Sequence, residues 1–240
     1  MKQYVIASFY KFVPLTDYQT MKMPLLDLMR KYQLLGTIIL SKEGINGSFA
    51  GIPANMSHLY DALKIDPRLM DLNFKESYDD MMPFEKAKVK FRNEIVSLGI
   101  SEIDPLKSTG QRVSPLEWNQ LISDQETILI DTRNTYEYDL GSFKYAIDPN
   151  TENFRDFPNY VRDNLLDKKT KKIAMFCTGG IRCEKSSSYL LSLGFEKVYQ
   201  LDGGIINYMN TVPTAESMWE GKCFVFDERV AIDQTALVTI

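Results

Sequence analysis

The chain has 240 residues, and its composition of 44% hydrophobic and 25% charged residues excludes an intrinsically disordered protein. The net charge of −4 gives no general attraction to polyanions, so a nucleic-acid partner would require a local basic surface. Three scattered cysteines do not form a disulfide framework, and a single histidine, His58, removes most Ser/His/Asp, Cys/His and multi-histidine iron sites.

The N-terminal stretch "MKQYVIASFYKFVPL" is too short and too polar for a signal peptide or a membrane-spanning helix. No run of about 18 apolar residues occurs in the rest of the chain. The cysteine content agrees with a reducing compartment. We therefore expect a cytoplasmic protein without a membrane partner.

Residues 1–99 predict a ferredoxin-like βαββαβ domain. The first strand, "YVIASFY", is followed by a helix over residues 16–32 and by the strand "GTIILS". Asn46-Gly47 is a dipeptide favoured in tight hairpin turns, so we expect it to reverse the chain into a third strand. Pro53 begins a second helix, and "AKVKFRNEIVSL" is the predicted fourth strand.

The fourth predicted strand carries basic residues at alternate positions, and these are Lys86, Lys88, Lys90 and Arg92. Because successive side chains of a strand point to opposite faces, the four cations share one face and the apolar residues between them share the other. Such a basic face is either a solvated surface or a site for a polyanion such as RNA. A second run of lysines, within residues 168–172, precedes a strand and is interpreted as a solvated turn.

The remaining chain predicts a second domain of a different class. Residues 100–113 are rich in Gly, Pro, Ser and Thr and are assigned as a linker. Residues 114–213 alternate short apolar strands, "TILID", "KKIAMFC" and "KVYQLD", with helical patterns, which is typical of a parallel α/β sheet. Residues 214–240 form a C-terminal extension.

Cys177 lies at the end of the strand "IAMF" and is followed by a loop of Thr178, Gly179, Gly180, Ile181 and Arg182 before a helix begins. Glycines let successive backbone N–H groups converge on one point, here the sulfur. Together with the helix N-terminus and Arg182, these groups favour the thiolate. The arginine follows the cysteine by five residues rather than the six of a cysteine-dependent phosphatase, so the loop suits a smaller, sulfur-sized anion. The loop indicates a persulfide carrier, and a buried core cysteine beside a tight turn is the alternative.

Four further residues belong to the candidate site or its surroundings. Cys183 either resolves a persulfide or sulfenate as a disulfide, or packs the first turn of the helix. Cys223 lies in an apolar, strand-like segment and is interpreted as structural. Asp131 and Arg133 are expected to pair beneath the cysteine loop and brace it.

The segment "ILIDTRNTYEYDLGSFKYA", with Asp131, Arg133 and Glu137, and the segment "VYQLDGGIINY" resemble a rhodanese domain, although Ser142 stands where that family often has histidine. Nearly the whole chain resembles the bacterial tRNA uridine hydroxylase family, through "SKEGINGSFAG", "KFRNEIVSLG", "CTGGIRCEKSS", "LDGGIINY" and "GKCFVFDERVA" in that order. The resemblance implies oxygen-dependent conversion of the wobble uridine of tRNA to 5-hydroxyuridine. It also implies that Cys177 forms a persulfide, that tRNA is the partner and that molecular oxygen is a co-substrate.

The sequence contains no glycine fingerprint for flavin or nicotinamide and no P-loop, so no organic cofactor is predicted. Relatives often continue into a tail with paired cysteines, whereas this chain ends at "ALVTI", and no metal site is expected. Two alternative functions remain open. One is a sulfurtransferase that passes sulfane sulfur to cyanide, a thiol or a tRNA base. The other is a non-catalytic RNA-binding module that senses oxidants through the cysteine loop.

Overall fold

The computed structural model describes residues 3–237, and these residues form two compact units. The first unit contains the chain up to Val96 together with Phe226–Arg229 and the described residues from Thr235 onward. The second unit contains Ser97–Val225 and Val230–Gln234. The residues outside the description, at the ends of the predicted first domain and C-terminal extension, are Met1, Lys2 and 238–240. Within residues 3–237, no helix is long and apolar enough to cross a membrane.

The first unit is built on a five-stranded sheet with two helices. In chain order its elements are β1 (Tyr4–Phe12), α1 (Tyr18–Lys31), β2 (Leu35–Ser41), β3 (Gly44–Gly51), α2 (Pro53–Lys64), β4 (Lys75–Asp79) and β5 (Ala87–Phe91). The strand order is β4-β1-β3-β2-β5, with β5 parallel to β2 and the other neighbours antiparallel. The first four strands and the two helices have the ferredoxin-like arrangement, so the predicted fold of this domain is confirmed.

The predicted position of the fourth strand is wrong. The fourth strand is β4, whose sequence "KESYD" shows little of the apolar alternation by which strands are recognised. The predicted strand instead forms β5, which adds to the edge of β2 and ends at Phe91. The sheet therefore has one strand more than the sequence predicts, and the basic strand lies at its edge.

The Asn46-Gly47 dipeptide does not form the predicted hairpin turn. Both residues lie inside β3, and the chain reverses at Lys42 and Glu43 instead. Gly47 is needed for packing rather than for turning, because a Cβ at this position would lie 2.7 Å from the ring of Phe9.

One face of this sheet forms a core with both helices. The strand residues in this core include Val5, Ala7, Phe9, Ile38, Leu40, Ile45, Phe49 and Val89, and the helix residues include Leu25, Met29, Met56, Leu59 and Leu63. Because side chains alternate along a strand, the residues between these core positions lie on the opposite face. We call the face opposite to α1 and α2 the outer face.

The second unit is built on a parallel sheet with crossover helices. Its elements are β6 (Gln111–Val113), α3 (Pro115–Ile122), β7 (Thr127–Asp131), α4 (Thr135–Tyr138), β8 (Gly141–Phe143), α5 (Phe157–Asn164), β9 (Lys172–Phe176), α6 (Ile181–Ser192), β10 (Lys197–Leu201), α7 (Gly204–Thr211), β11 (Trp219–Gly221), β12 (Cys223–Phe224) and β13 (Ala231–Ile232). The order β6-β10-β9-β7 is parallel throughout, which confirms the predicted α/β class.

The segment 100–113, predicted as a linker, is part of the second unit. Its last three residues form β6, which pairs with β10. The Gly110 N–H donates to Ser187 Oγ at 2.8 Å, so the segment is also tied to α6. The division between the two units falls instead between Val96 and Ser97.

The predicted C-terminal extension contributes to both units rather than forming a separate segment. In the second unit, β11 pairs with β8, and β12 pairs with β13. Phe226–Arg229 belongs to the first unit, where Arg229 Nη1 donates to Ser77 Oγ at 2.9 Å.

Candidate active site

Cys177 directly follows β9, at the carboxyl end of a central strand of the parallel sheet. Its side chain is completely buried. The Gly180 N–H donates to Cys177 Sγ at 3.1 Å, and the backbone N–H groups of Arg182 and Cys183 also donate to this sulfur. Gly180 has a φ of +97°, a left-handed conformation that favours glycine, and this lets the loop turn back over the sulfur. The loop residues that reach the surface, all half-buried, are Thr178, Gly179 and Ile181.

The environment of Cys177 stabilises its thiolate. Burial by itself would raise the pKa of the thiol. A hydrogen bond from the Cys183 side chain, the charge of Arg182 and the converging N–H groups outweigh burial and hold the pKa of Cys177 well below the usual thiol range. At neutral pH the sulfur is therefore an anion in a site from which water is excluded.

The Cys183 side chain is also completely buried and hydrogen-bonds to Cys177. Burial, followed by this hydrogen bond and the negative charge of Cys177, raises the pKa of Cys183 well above its usual value. Its sulfur lies 3.7 Å from Thr132 Oγ1. Cys183 is therefore a neutral thiol that donates to the thiolate.

Arg182 and Glu137 form a buried ion pair next to the loop. Arg182 Nη1 donates to Glu137 Oε2 at 2.6 Å, and Nη2 donates to Oε1 at 2.8 Å. Burial opposes ionisation of Glu137, but the charge and hydrogen bonds of Arg182 outweigh it and lower the pKa of the carboxyl group. Arg182 thus keeps its charge near Cys177, while its guanidinium is oriented by Glu137.

Glu137 is an important residue that sequence reasoning noted only as part of the rhodanese resemblance. It lies in the short helix α4, where its Oε2 also accepts from the Asn134 N–H at 3.1 Å. The sequence feature that could have identified Glu137 is its position four residues after Arg133, where a strand ends and a helical turn begins.

Asp131 and Arg133 form a second buried ion pair, with Nε to Oδ1 at 2.9 Å and Nη2 to Oδ2 at 2.6 Å. The pair also contacts β8, because Arg133 Nη2 donates to the Gly141 carbonyl at 2.6 Å and Ser142 Oγ donates to Asp131 Oδ2 at 2.9 Å. The residue between them, Thr132, makes the direct link to β9 through its N–H and Oγ1, which donate to the Phe176 carbonyl at 3.0 and 2.9 Å. A direct brace from Asp131 and Arg133 to the cysteine loop therefore stays a prediction.

The start of α7 holds the cysteine loop from the other side. The Ile205 N–H donates to the Cys177 carbonyl at 3.0 Å, and the Ile206 N–H donates to the Thr178 carbonyl at 3.1 Å. Gly204 has a φ of +69°, and a Cβ there would lie 2.5 Å from the Cys177 carbonyl oxygen. This contact was not predicted, and its only sequence signal was the Gly-Gly pair in "LDGGIINY".

Comparisons with known proteins identify both units. Residues 4–95 match the UPF0176 acylphosphatase-like domain, and residues 114–211 match the rhodanese-like domain. A tRNA uridine(34) hydroxylase from Legionella pneumophila strain Corby is 58% identical over 234 residues, which cover 98% of this chain and 92% of that protein. The chain belongs to the tRNA uridine(34) hydroxylase family.

A second relative agrees with this assignment. The tRNA uridine(34) hydroxylase of Legionella pneumophila strain Paris has the same 58% identity and the same coverage of both chains. Among solved structures, the solution NMR structure of a rhodanese-like domain from an Anabaena species aligns with a TM-score of 0.39 and 18% identity, over 47% of this chain and 80% of that domain.

The third cysteine of this family member, Cys223, lies in β12 and is completely buried. Burial raises the pKa of its thiol to about 12, against the charge of Arg133 and a hydrogen bond with the Thr178 side chain. Cys223 is therefore a neutral thiol that contacts the cysteine loop, and within residues 3–237 no backbone N–H group donates to its sulfur as such groups do to Cys177.

The four basic residues of the edge strand lie outside this buried site, in the first unit. Lys86, Lys88, Lys90 and Arg92 are all exposed. Ala87, Val89 and Phe91 pack on the helix side, so the cations alternate with them as the sequence predicts. Lys86, Lys88 and Lys90 make no ion pair with any residue in the range 3–237.

Proposed function

We propose that this protein hydroxylates uridine 34 of tRNA to 5-hydroxyuridine with a persulfide on Cys177, with molecular oxygen and a two-electron donor as co-substrates, so that one oxygen atom enters the base and the other leaves as water. The hydroxylase assignment is supported by 58% identity over nearly the full length of tRNA uridine(34) hydroxylases. The observation that carries the role of Cys177 is its fully buried sulfur, to which three backbone N–H groups donate and whose pKa is lowered.

The loop fits a persulfide because the same donors serve the anion before and after sulfur is added. A thiolate attacks the sulfane sulfur of a donor, the donor's bond to that sulfur breaks, and the rest of the donor leaves, as sulfite in the case of thiosulfate. Once the outer sulfur carries the negative charge, N–H groups that converge from Gly180, Arg182 and Cys183 are available to stabilise it. Such donors act strongly because the site excludes water and their positions are set in advance by the fold.

Arg182 supports this proposal better than it supports phosphate chemistry. Its two Nη groups are engaged by Glu137, so the guanidinium contributes charge rather than an open fork for phosphate oxygens. The loop is also one residue shorter than the phosphatase loop. Both features favour an anion of the size of sulfur.

The test is mass spectrometry of nucleosides from total tRNA of cells that lack this protein and carry either the intact chain or the Cys177→Ala variant. We expect 5-hydroxyuridine and its derivatives only with the intact chain. Purified intact protein should also gain the mass of one sulfur atom at Cys177 after incubation with thiosulfate, and the variant should not.

Two outcomes would replace the proposal. Unchanged 5-hydroxyuridine with loss of a thiolated nucleoside would make the protein a sulfurtransferase. If the tRNA nucleosides are unchanged and the Cys177→Ala variant still binds RNA, the protein is a non-catalytic RNA-binding module.

A further inference from the structure

The outer face of the first unit carries a line of polar side chains that runs across all five strands. The strand register pairs Lys88 with Thr37, Thr37 with Ser48, Ser48 with Ser8, and Ser8 with Lys75. We call these five residues the polar row. With strands about 4.8 Å apart, it is roughly 19 Å long.

All members of the polar row point to the same side. In β5, β2, β3 and β1 at least one position next to each row residue belongs to the core, so the row residues lie on the outer face. In β4, Glu76 accepts from Tyr60 of α2, which places Lys75 on the outer face as well. The Lys75 Nζ lies 4.9 Å from the ring centroid of Tyr10, another outer-face residue.

The central hydroxyl groups of the row are available to a ligand. Ser8, Thr37 and Ser48 are half-buried, and their side chains form no hydrogen bond with any residue of the described chain. A hydroxyl group can both donate and accept, so each one can bind a phosphate oxygen or a ribose hydroxyl. The row contains no acidic side chain that would oppose an anion.

The lysine at the β5 end of the row is also available. Lys88 is exposed and, like its neighbour Lys90 on the same face, has no acidic partner within residues 3–237. Three of the four lysines within residues 168–172 differ in this respect. Lys168 pairs with Asp167, Lys171 with Glu126 and Lys172 with Asp124.

We propose that the polar row binds the sugar-phosphate backbone of single-stranded nucleotides in the anticodon loop of tRNA. Lys88 and Lys75 contact phosphates at the two ends, and the three hydroxyls contact phosphate oxygens and 2′-hydroxyls between them. RNA rather than a protein is the occupant, because a row of cations and hydroxyls matches a regular polyanion. Its length suits the two or three nucleotides that sheets of RNA-binding domains hold. This inference rests on the proposed function for the choice of tRNA.

The test measures binding of a synthetic anticodon stem-loop RNA with uridine at position 34, by fluorescence anisotropy at several salt concentrations. Lys88→Ala should weaken binding and reduce the slope of log K against log salt by about 0.7, the value for one phosphate contact on a single strand. The double variant Thr37→Val and Ser48→Ala should weaken binding by about tenfold without changing the slope, because it removes hydrogen bonds but no charge.

Matched controls lie on the helix side of the same sheet. Lys64→Ala on α2 removes the same charge, and Ser57→Ala on α2 removes a hydroxyl group. Both should bind the RNA as the intact chain does. A DNA hairpin of the same sequence should bind more weakly than RNA to the intact chain, and the hydroxyl variant should reduce this difference.

The result can be separated from that of the proposed function. If the row variants bind RNA like the intact chain while the intact chain produces 5-hydroxyuridine, the row inference is overturned and the hydroxylase stands. If the row variants lose RNA binding but no hydroxylation is found, the row stands and the proposed function falls. Equal weakening by Lys88→Ala and Lys64→Ala, with no effect of the hydroxyl variant, would show an unspecific polyanion surface and would also overturn the inference.

Discussion

The cysteine loop and the outer face of the first unit use charged side chains in opposite ways. Around Cys177, the cation Arg182 is buried and paired with Glu137 at 2.6 and 2.8 Å. On the outer face, Lys88 and Lys90 are exposed and have no acidic partner in the described chain. The first arrangement positions one charge relative to one sulfur atom. The second leaves charges in solvent, where they are ready to neutralise those of a ligand.

This difference has a physical basis. A buried charge is tolerated only when it is paired and hydrogen-bonded, so every group near Cys177 depends on its neighbours. An exposed charge is stabilised by hydration and depends little on neighbouring side chains. Substitutions in the loop should therefore affect both stability and chemistry, whereas substitutions of the exposed outer-face lysines should affect binding alone.

The largest effect on stability is expected for Glu137→Gln. This change removes the carboxylate that pairs with the buried Arg182 charge, and we expect the free energy of unfolding to fall by about 3–5 kcal/mol in urea denaturation. Glu126→Gln is the matched control, because the partner of Glu126, Lys171, is half exposed. This variant should lower the free energy of unfolding by less than about 1 kcal/mol. Equal losses for the two variants would contradict the contrast between buried and exposed charges.

The Glu137 contribution should also depend on pH. Because Arg182 lowers the folded-state pKa of Glu137 against the opposing effect of burial, the stabilisation is complete above the unfolded pKa of about 4.3. It is lost as the pH falls through the lower, folded-state pKa. The difference in stability between the intact chain and Glu137→Gln should therefore shrink only in acid.

The next effect in size is expected for Gly204→Ala. The positive φ costs about 1–3 kcal/mol for a residue with a Cβ, and the contact with the Cys177 carbonyl at 2.5 Å adds to this. Gly179→Ala is the matched control, because a Cβ there meets nothing within 4 Å and its φ is not positive. Thermal unfolding should show a clear loss for Gly204→Ala and little change for Gly179→Ala.

A smaller effect, confined to the sulfur, is expected for Cys183→Ala. Removing the thiol that donates to Cys177 should raise the pKa of Cys177 by roughly 1–2 units, which corresponds to about 1.5–3 kcal/mol for a hydrogen bond to a charged group. Ultraviolet absorbance of the thiolate, compared with a Cys177→Ala background, measures this pKa. The thiolate of the variant should be protonated at a higher pH than in the intact chain.

Cys183→Ser distinguishes a donor from a resolving thiol. A serine hydroxyl still donates to Cys177 but cannot form a disulfide, so it should restore the lowered pKa. If serine restores both this pKa and the formation of 5-hydroxyuridine, Cys183 acts as a positioning residue. If it restores the pKa alone, the thiol of Cys183 is needed for the reaction itself.

The smallest effect on stability is expected for Lys86→Ala. Lys86 is exposed and makes no ion pair with the described chain, so the free energy of unfolding should change by less than about 0.5 kcal/mol. For binding of the anticodon stem-loop, the slope of log K against log salt should decrease in magnitude by about 0.7. Lys168→Ala, which removes a lysine already paired with Asp167, should leave the slope unchanged. A response to Lys168→Ala as large as that to Lys86→Ala would remove the distinction between the two lysine runs.

Patterns within single segments predicted much of this protein. Alternation of apolar and basic residues placed Lys88 and Lys90 on one face of a strand, and the structure shows both exposed. The apolar strands and intervening helices of the second domain indicated its parallel sheet. The glycines after Cys177 indicated converging N–H groups, and the structure shows Gly180 donating to the sulfur. These features depend on neighbours along the chain, and such neighbours are visible in the sequence.

Features that depend on distant segments were missed or misplaced. The polar strand Lys75–Asp79 has almost no apolar periodicity and is a strand only because β1 pairs with it. Asn46-Gly47 has the composition of a turn, yet pairing with β1 and β2 on both sides holds it in an extended strand. In both cases the pairing with neighbouring strands overrides the local propensity.

By itself, the sequence determined the two fold classes, the position of Cys177 at the end of a strand, and the alternation of the basic strand. Only the tertiary structure decided that Glu137 pairs with Arg182, that Gly204 approaches the Cys177 carbonyl, and that the polar row is continuous across five strands. The reason is that periodicity and loop composition act over a few consecutive residues. Strand order, register and the partners of buried charges are set by the packing of segments that lie far apart in the chain.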